Sequence, residues 1–212
     1  VPEFSAEERD LFQRLRDEPA TLVDDDDVTT SDILMRAAAP KFVAGSHPRD
    51  KQVVRGIVFQ LIGASTFDFQ GTHYRGDIHV LLPGDPGTGK SVLAKWVEAV
   101  SPGATFASGE RSTGPGLTAA LTQSGLGDGF TVQPGALVRA NGDIAIIDEL
   151  DKAPENAIEK MHSALADQII PVSMAGKSTE LPAECGLLGI ANPDGGHFKD
   201  GQQSLLDALP LE

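Results

Sequence analysis

The stretch "LLPGDPGTGKS", residues 81–91, constrains the fold of this chain more than any other part of the sequence. It fits the pattern G-x-x-x-x-G-K-[ST] and lies between an apolar run, "DIHV", and an amphipathic run, "SVLAKWVEAV". This order predicts a strand, a glycine-rich turn and a helix. The main-chain N–H groups of the turn and the positive N-terminal end of the helix dipole can together surround phosphate groups. A glycine-rich turn that matches by chance is the alternative, and the flanking elements argue against it. The eight positions of the pattern are Gly84, Asp85, Pro86, Gly87, Thr88, Gly89, Lys90 and Ser91.

The end of this loop supplies the first predicted functional side chains. Lys90 is expected to reach the β- and γ-phosphates of a nucleotide, and Ser91 is expected to hold Mg²⁺. Val92 follows directly and is counted with the loop as a cofactor-binding residue.

The run "IAIIDELD", residues 144–151, predicts a second part of the same site. Its apolar residues bring Asp148 and Glu149 to the carboxyl end of a strand, the edge at which open α/β sheets bind ligands. Asp148 is expected to orient Mg²⁺ through its water shell, and Glu149 to polarise the attacking water as a general base. An Asp-Glu pair that only starts a helix is the alternative.

A third element is Asn192, at the end of the apolar run "LLGIAN". Its amide is expected to bind the attacking water or the γ-phosphate. The alternative is an asparagine that starts a turn before a proline. The predicted catalytic residues are therefore Lys90, Asp148, Glu149 and Asn192.

The remaining pattern predicts an α/β fold with a helical lead-in. Helical spacing is found at residues 5–18, where Ser5 and Glu8 have the spacing of a capping box, and again at 30–38 and 53–62. Buried strands are predicted at "GDIHVLL", "DIAIIDEL" and "CGLLGIANP", a helix at "PENAIEKMHSALADQ", and a hairpin at 169–184. Apolar strands that alternate with helices predict a mostly parallel sheet with helices on both faces. The lead-in is placed at 1–39 and the core at 40–212.

The composition adds a constraint on partners and location. Asp and Glu number 31 against 17 Lys and Arg, which gives a formal net charge of -14, so no broad basic face predicts nucleic-acid binding. Asp (19) exceeds Glu (12) and Lys is scarce (8), a composition that favours a salt-rich cytoplasm over a merely acidic protein. The single cysteine excludes an internal disulfide, and the sequence has no apolar run of membrane-spanning length. We therefore expect a cytoplasmic location and no membrane partner.

Several blocks in fixed order resemble one known family. They are "RGDIHVLLPGDPGTGKSVLAK", "GLTAAL", "QPGALVRANGDIAIIDELDK" and "LLGIANP". Together they resemble the AAA+ domain of archaeal minichromosome maintenance (MCM) replicative helicases, over roughly residues 40–193. The two nucleotide motifs alone occur in many ATPases, whereas the combination of blocks is much more specific.

This resemblance implies a three-layer αβα P-loop NTPase fold of the AAA+ type with β-hairpin inserts. It also implies ATP and Mg²⁺ as cofactors, and a homo-oligomeric ring, usually a hexamer, that encloses a single DNA strand and opens the duplex. Other replication factors would be further partners. Phe42 would lie by the adenine, and hairpins at about 122–134 and 169–184 would face the ring channel.

Two hairpin features depart from the family pattern. The second hairpin has Met174 where the family has a lysine before the turn, and Glu184 where the family has an arginine. Lys177 follows the turn and is the one predicted DNA contact, with a solvated turn residue as the alternative. The first hairpin, "TQSGLGDGFTVQ", has no Lys or Arg. Because channel contacts neutralise phosphates, these departures predict a weak grip on DNA.

The resemblance also predicts what this chain does alone. The sequence ends at "LLDALPLE", before the arginine finger and later sensor of the family, and the N-terminal DNA-binding module is absent. An arginine finger contributes about 10³- to 10⁵-fold in rate, so we expect a fragment of a longer protein with slow ATPase and no helicase activity by itself. Two alternatives stay open: a protein-remodelling or regulatory AAA+ ATPase of MoxR-like or enhancer-binding type, and a non-hydrolysing assembly module.

Overall fold

The structure is a computed structural model that describes residues 5–18, 22, 28–38, 48–64, 66–123, 130–174 and 177–192. The chain forms two compact units, Val1–Ile62 and Gly63–Glu212. The predicted domain boundary between residues 39 and 40 lies outside the described residues and stays a prediction.

The first unit contains the helices α1 (Ala6–Asp17), α2 (Thr30–Ala38) and α3 (Pro48–Ile62). The predicted capping box at the start of α1 is confirmed, because the Ser5 and Glu8 side chains each accept a hydrogen bond from the other residue's main-chain N–H. Packing differs from the expectation for an amphipathic helix, since no residue of α1 is buried. An Arg55–Asp32 ion pair of 2.8 Å joins α3 to α2.

The second unit contains three antiparallel hairpins and one parallel sheet among its described residues. The hairpin strands are β1 (Phe67–Phe69) with β2 (Thr72–Tyr74), β5 (Ala119–Gln123) with β6 (Phe130–Pro134), and β8 (Ile169–Met174) with β9 (Lys177–Pro182). The sheet strands are β3 (Val80–Pro83), β4 (Thr105–Ser108), β7 (Ile144–Asp148) and β10 (Gly186–Ala191). The helices are α4 (Lys90–Val100), α5 (Gly114–Leu117), α6 (Ala136–Arg139) and α7 (Glu155–Asp167), with a 3-10 turn at Leu150–Lys152.

The parallel sheet has the strand order β3-β10-β7-β4, so it brings distant parts of the sequence to one edge. In the register, Ala191 of β10 lies opposite Pro83 of β3, and Ser108 of β4 lies opposite Asp148 of β7. All four strands run the same way, which places the segments that follow them at the same carboxyl edge. The phosphate loop, the Asp148–Glu149 pair and Asn192 all begin at this edge.

Helices cover both faces of the sheet. Ala145 and Ile147 of β7 belong to a buried cluster that includes Met161 and Leu165 of α7. Ile146 is also fully buried, and because side chains alternate along a strand it points to the other face, where α4 contacts β7 and β10. The predicted α/β fold with a mostly parallel, doubly covered sheet is thus confirmed.

Four details differ from the sequence prediction. The strand predicted at "GDIHVLL" begins only at Val80, because the polar side chains before it make contacts of their own. The first hairpin, expected at about 122–134, starts already at Ala119, directly after the single helical turn Gly114–Leu117. Strand β4 and the hairpin β1–β2 were not predicted. The second hairpin is confirmed, with Met174 opposite Lys177.

Candidate nucleotide-binding site

The phosphate loop turns sharply between β3 and α4, and glycine is required at two of its positions. Gly87 has a φ of 82° and Gly89 a φ of 86°, left-handed conformations that residues with a Cβ rarely adopt. Gly89 also caps α4 without any side-chain hydrogen bond, so the first N–H groups of this helix can donate to another acceptor. The local sequence therefore builds the loop that the pattern predicts.

Lys90 points back into the loop. Its Nζ atom donates to the carbonyl oxygens of Gly84 (2.5 Å) and Asp85 (2.8 Å) and lies 3.3 Å from Oγ1 of Thr88. Thr88 in turn donates to the Asp85 carbonyl at 2.8 Å. The ammonium group is thus held by neutral acceptors, and anionic phosphate oxygens would bind it more strongly than carbonyl oxygens do.

Ser91 and Asp148 meet at the carboxyl edge. The Oγ atom of Ser91 donates to Oδ2 of Asp148 at 3.0 Å, across 57 positions of the sequence. The other carboxylate oxygen of Asp148 accepts from the main-chain N–H of Glu149 at 2.9 Å. A hydroxyl and a carboxylate in contact are oxygen donors of the kind that Mg²⁺ prefers, so these residues fit the predicted metal pair.

Glu149 lies just past β7 in a strained backbone conformation, with a φ of 55°. Its Oε1 atom forms a 2.7 Å ion pair with Lys152, and its Oε2 atom lies 3.4 Å from the hydroxyl of Ser108. The hydrogen bond from Lys152 is the main reason that the pKa of Glu149 lies below its ordinary value. The carboxylate is therefore ionised at neutral pH, as a general base must be.

Asn192 follows β10 at the same edge. Its main-chain N–H donates to Oδ1 of Asp151 at 2.9 Å, which joins the end of β10 to the turn after β7. The loop is joined to β10 as well, since the N–H of Gly84 donates to the carbonyl of Ala191 at 3.2 Å. The four predicted catalytic residues thus lie at or after the carboxyl ends of three neighbouring strands, β3, β10 and β7.

The remaining predicted site residues are Val92, Phe42 and Lys177. Val92 is exposed in the first turn of α4, where its N–H donates to Gly89. Phe42 lies outside the described residues. Lys177 begins β9 next to the turn of the second hairpin, opposite Met174.

Three residues of this site were missed by the sequence analysis: Ser108, Asp151 and Lys152. Ser108 ends a strand of only four residues that has no clear apolar alternation. Asp151 and Lys152 lie within the quoted run "DELDK", and Lys152 follows Glu149 by three positions, the spacing of one helical turn, which is the signal that could have identified it.

No group of three or more His, Cys, Asp or Glu side chains among the described residues is arranged to hold a metal ion by itself. Among the described helices, none combines the length and apolar character needed to span a membrane.

Comparison with known proteins identifies one family. The profile described as the MCM P-loop domain matches residues 21–209. The chain is 38% identical over 149 residues to the DNA replication licensing factor mcm2 of Xenopus tropicalis, which covers 70% of this chain and 17% of that protein.

Two further relatives agree. The chain is 39% identical over 161 residues to the zygotic DNA replication licensing factor mcm6-A of Xenopus laevis, covering 76% of this chain and 19% of that protein. It is 38% identical over 163 residues to the DNA replication licensing factor Mcm5 of Drosophila melanogaster, covering 76% of this chain and 22% of that protein. The chain thus spans about a fifth of the length of these curated relatives.

Proposed function

This chain belongs to the MCM family of P-loop proteins, and on that premise we propose that it is the ATP-hydrolysing motor domain of a ring-forming DNA helicase that acts in replication. The observation that carries the proposal is the 3.0 Å contact between Ser91 and Asp148 next to the Lys90 loop. It joins two motifs that lie far apart in the sequence at the edge where a nucleotide binds.

The residues of the site have separate roles in this proposal. The loop 84–91 binds the phosphates through its N–H groups and Lys90, while Ser91 and Asp148 hold Mg²⁺. The metal ion neutralises charge on the phosphates. Glu149 orients and deprotonates the attacking water, and Asn192 binds this water or the γ-phosphate. Val92 and Phe42 complete the set of nucleotide contacts.

The wider assembly is part of the same proposal. The names of the relatives refer to licensing of DNA replication, which supports DNA as the partner of this chain. We place a single DNA strand in the channel of a homo-hexamer, with Lys177 of the second hairpin as a contact and with other replication factors as partners. The cytoplasmic location and the salt-rich origin that the composition predicts belong to the proposal as well.

ATP hydrolysis measured with and without single-stranded DNA tests the proposal. The full-length protein is assayed in molar salt, and Glu149→Gln serves as the blank because the amide keeps the shape of the side chain but cannot act as a base. Hydrolysis that DNA stimulates and that the variant lacks is the expected result. Stimulation that is no greater with DNA than with an uncharged polymer would contradict a DNA motor.

The two alternatives have different signatures in this assay. A protein-remodelling ATPase hydrolyses ATP at a rate that DNA does not change. A non-hydrolysing assembly module binds ATP and forms oligomers, but the unmodified protein and Glu149→Gln then release phosphate equally slowly.

A further inference from the structure

The segment 75–79 lies at the opposite end of the parallel sheet from the nucleotide site. It leads into β3, and its polar side chains take no part in the contacts around Lys90 and Asp148. Three of them, Arg75, Asp77 and His79, instead contact the end of α7 and the start of β10. Their partners include Gln168, the residue that separates α7 from the second hairpin.

Gln168 forms the base of the hairpin β8–β9. It adopts a left-handed conformation with a φ of 57°, which ends α7 and turns the chain into β8. Its carbonyl oxygen accepts from the N–H of Ala183 at 2.8 Å, which closes the hairpin at its open end. Its side-chain Nε2 donates to Oδ1 of Asp77 at 2.8 Å. One residue therefore bonds to both the hairpin and the segment before β3.

Asp77 is held among several partners in a mostly buried position. Its side chain is 11% exposed, and its Oδ2 atom lies 3.3 Å from Nε2 of His79, whose side chain is 10% exposed. Neither of these two atoms has a hydrogen-bond partner in the described part of the chain, so their 3.3 Å approach is a contact rather than a hydrogen bond. Arg75 donates to the carbonyls of Leu165 (2.6 Å) and Ala166 (3.0 Å), the last turn of α7, where a cation is favourable.

His79 joins this group to the middle of the sheet. Its Nδ1 atom accepts from the main-chain N–H of Leu187 in β10 at 3.0 Å, so the neutral ring carries its proton on Nε2, which lies 3.3 Å from Oδ2 of Asp77. Burial lowers the pKa of His79, in agreement with a neutral ring. A continuous path of contacts thus runs from β10 through His79 and Asp77 to Gln168.

We infer that Asp77, through its hydrogen bond with Gln168, is a positioning residue that fixes the base of the β8–β9 hairpin to the strand leading into the phosphate loop, so that the hairpin and the nucleotide site respond to DNA as one unit. The strand between them, β3, has four residues and spans about 13 Å. Because packed elements shift as units rather than deform, loss of the Asp77–Gln168 contact would release the hairpin while leaving the loop intact. This inference rests on the proposed DNA motor function.

Three substitutions of nearly constant shape test the contact. Gln168→Glu replaces the hydrogen bond from Gln168 with a second carboxylate against Asp77. The Arg75 guanidinium, whose Nε lies 3.8 Å from Asp77 Oδ1, offsets only part of this repulsion because its Nη1 is committed to α7. Asp77→Asn alone is tolerated, because the amide of Gln168 can turn round and present its oxygen. The double variant Asp77→Asn with Gln168→Glu restores the hydrogen bond with donor and acceptor exchanged.

ATP hydrolysis of the full-length protein is measured with and without an oligothymidine single strand. Gln168→Glu is expected to reduce the stimulation by DNA at least fivefold, while hydrolysis without DNA stays within twofold of the unmodified protein. Asp77→Asn and the double variant are expected to keep the stimulation within twofold. A double variant as impaired as Gln168→Glu, or an equal loss with and without DNA, would overturn the inference.

A second readout separates this inference from the proposed function. Amide hydrogen exchange is compared between the unmodified protein and Gln168→Glu without DNA. Exchange in 169–174 and 177–182 is expected to rise at least tenfold, while β7 and β10 keep their protection. If the unmodified protein lacks DNA stimulation, the proposed function fails, but the exchange result still decides whether Asp77 holds the hairpin. Unchanged exchange in the hairpin would sink the positioning role even if DNA stimulates hydrolysis.

Discussion

Gly109 offers a direct test of the proposal that the position of Glu149 controls ATP hydrolysis. This glycine follows β4, and its N–H donates to the carbonyl of Asp148 at 2.7 Å. A Cβ atom added to it would lie 2.5 Å from the carbonyl oxygen of Glu149 and 3.0 Å from the Cα of Leu150. Ordinary contacts of a Cβ begin at 3.4 Å, so Gly109→Ala must move the Glu149 backbone by about 0.9 Å.

The size of the effect follows from this displacement. A shift of about 1 Å in a positioned group can cost on the order of 100-fold in rate. We therefore expect Gly109→Ala to lower kcat for ATP hydrolysis by about 10- to 100-fold, which corresponds to about 1.4–2.7 kcal/mol. The affinity for ATP should stay within about threefold, because the phosphate loop follows β3, which lies three positions from β4 in the sheet order. Overpacking should also reduce the free energy of unfolding by about 1–3 kcal/mol.

The assay needs a control that is equally crowded but remote from the nucleotide. Gly135, just before α6, meets this condition: its added Cβ would lie 2.6 Å from the carbonyl carbons of Leu117 and Thr118. Steady-state hydrolysis, nucleotide titration and thermal unfolding are measured for both variants. Gly135→Ala should lose stability but keep kcat within about threefold. A folded Gly109→Ala protein with unchanged kcat, or an equal loss of kcat in Gly135→Ala, would refute the argument.

Three further predictions concern stability and reactivity. Burial lowers the pKa of His79 in the folded chain, while Asp77 raises it and Arg75 lowers it to smaller extents, so the unfolded chain takes up the proton first as the pH falls. The protein should therefore lose stability below about pH 6.5, by at most about 1.4 kcal/mol per pH unit for one proton. His79→Asn should remove this loss, which denaturation at pH 5 to 7.5 checks. Leu150→Ala should cost about 2–5 kcal/mol in chemical denaturation, because this side chain is fully buried, whereas Val100→Ala at an exposed position should stay within about 0.5 kcal/mol. Cys185 should resist a thiol reagent at pH 8 until the protein unfolds, since it is 1% exposed and burial raises its pKa to about 12; rapid labelling of the native protein would contradict this.

The parts of the fold that could be predicted are those with strong local patterns. Strands β7 and β10 are unbroken apolar runs that end in polar residues, and the loop before α4 has glycines where the backbone needs positive φ. Strand β4 could not be predicted in the same way, because its four residues are only partly buried and take their extended form from pairing with β7. Tertiary contact, rather than propensity, decides such a short strand.

The candidate site likewise contains contacts that local motifs predict and contacts that depend on the tertiary structure. The pairing of Ser91 with Asp148 follows from the motifs, since parallel strands that are neighbours or near-neighbours end at the same edge. The ion pair of Glu149 with Lys152 depends on the left-handed turn after β7, which no local pattern specifies. The contact of Asp77 with Gln168 spans 91 positions and depends on where α7 ends, so it required the three-dimensional structure.

The two ends of the parallel sheet therefore allow the chemical step and its response to DNA to be separated experimentally. Gly109→Ala displaces Glu149 at the carboxyl edge, so it should reduce hydrolysis by the same factor with and without DNA. Gln168→Glu acts at the amino end of the sheet, on the contact with Asp77, so it should reduce only the part of hydrolysis that DNA adds. If the variants act on independent steps, their effects on the DNA-stimulated rate should multiply in the combined variant. A combined loss smaller than the product would mean that the hairpin base and Glu149 act on the same step, and that the link along β3 reaches the carboxylate that we propose as the general base.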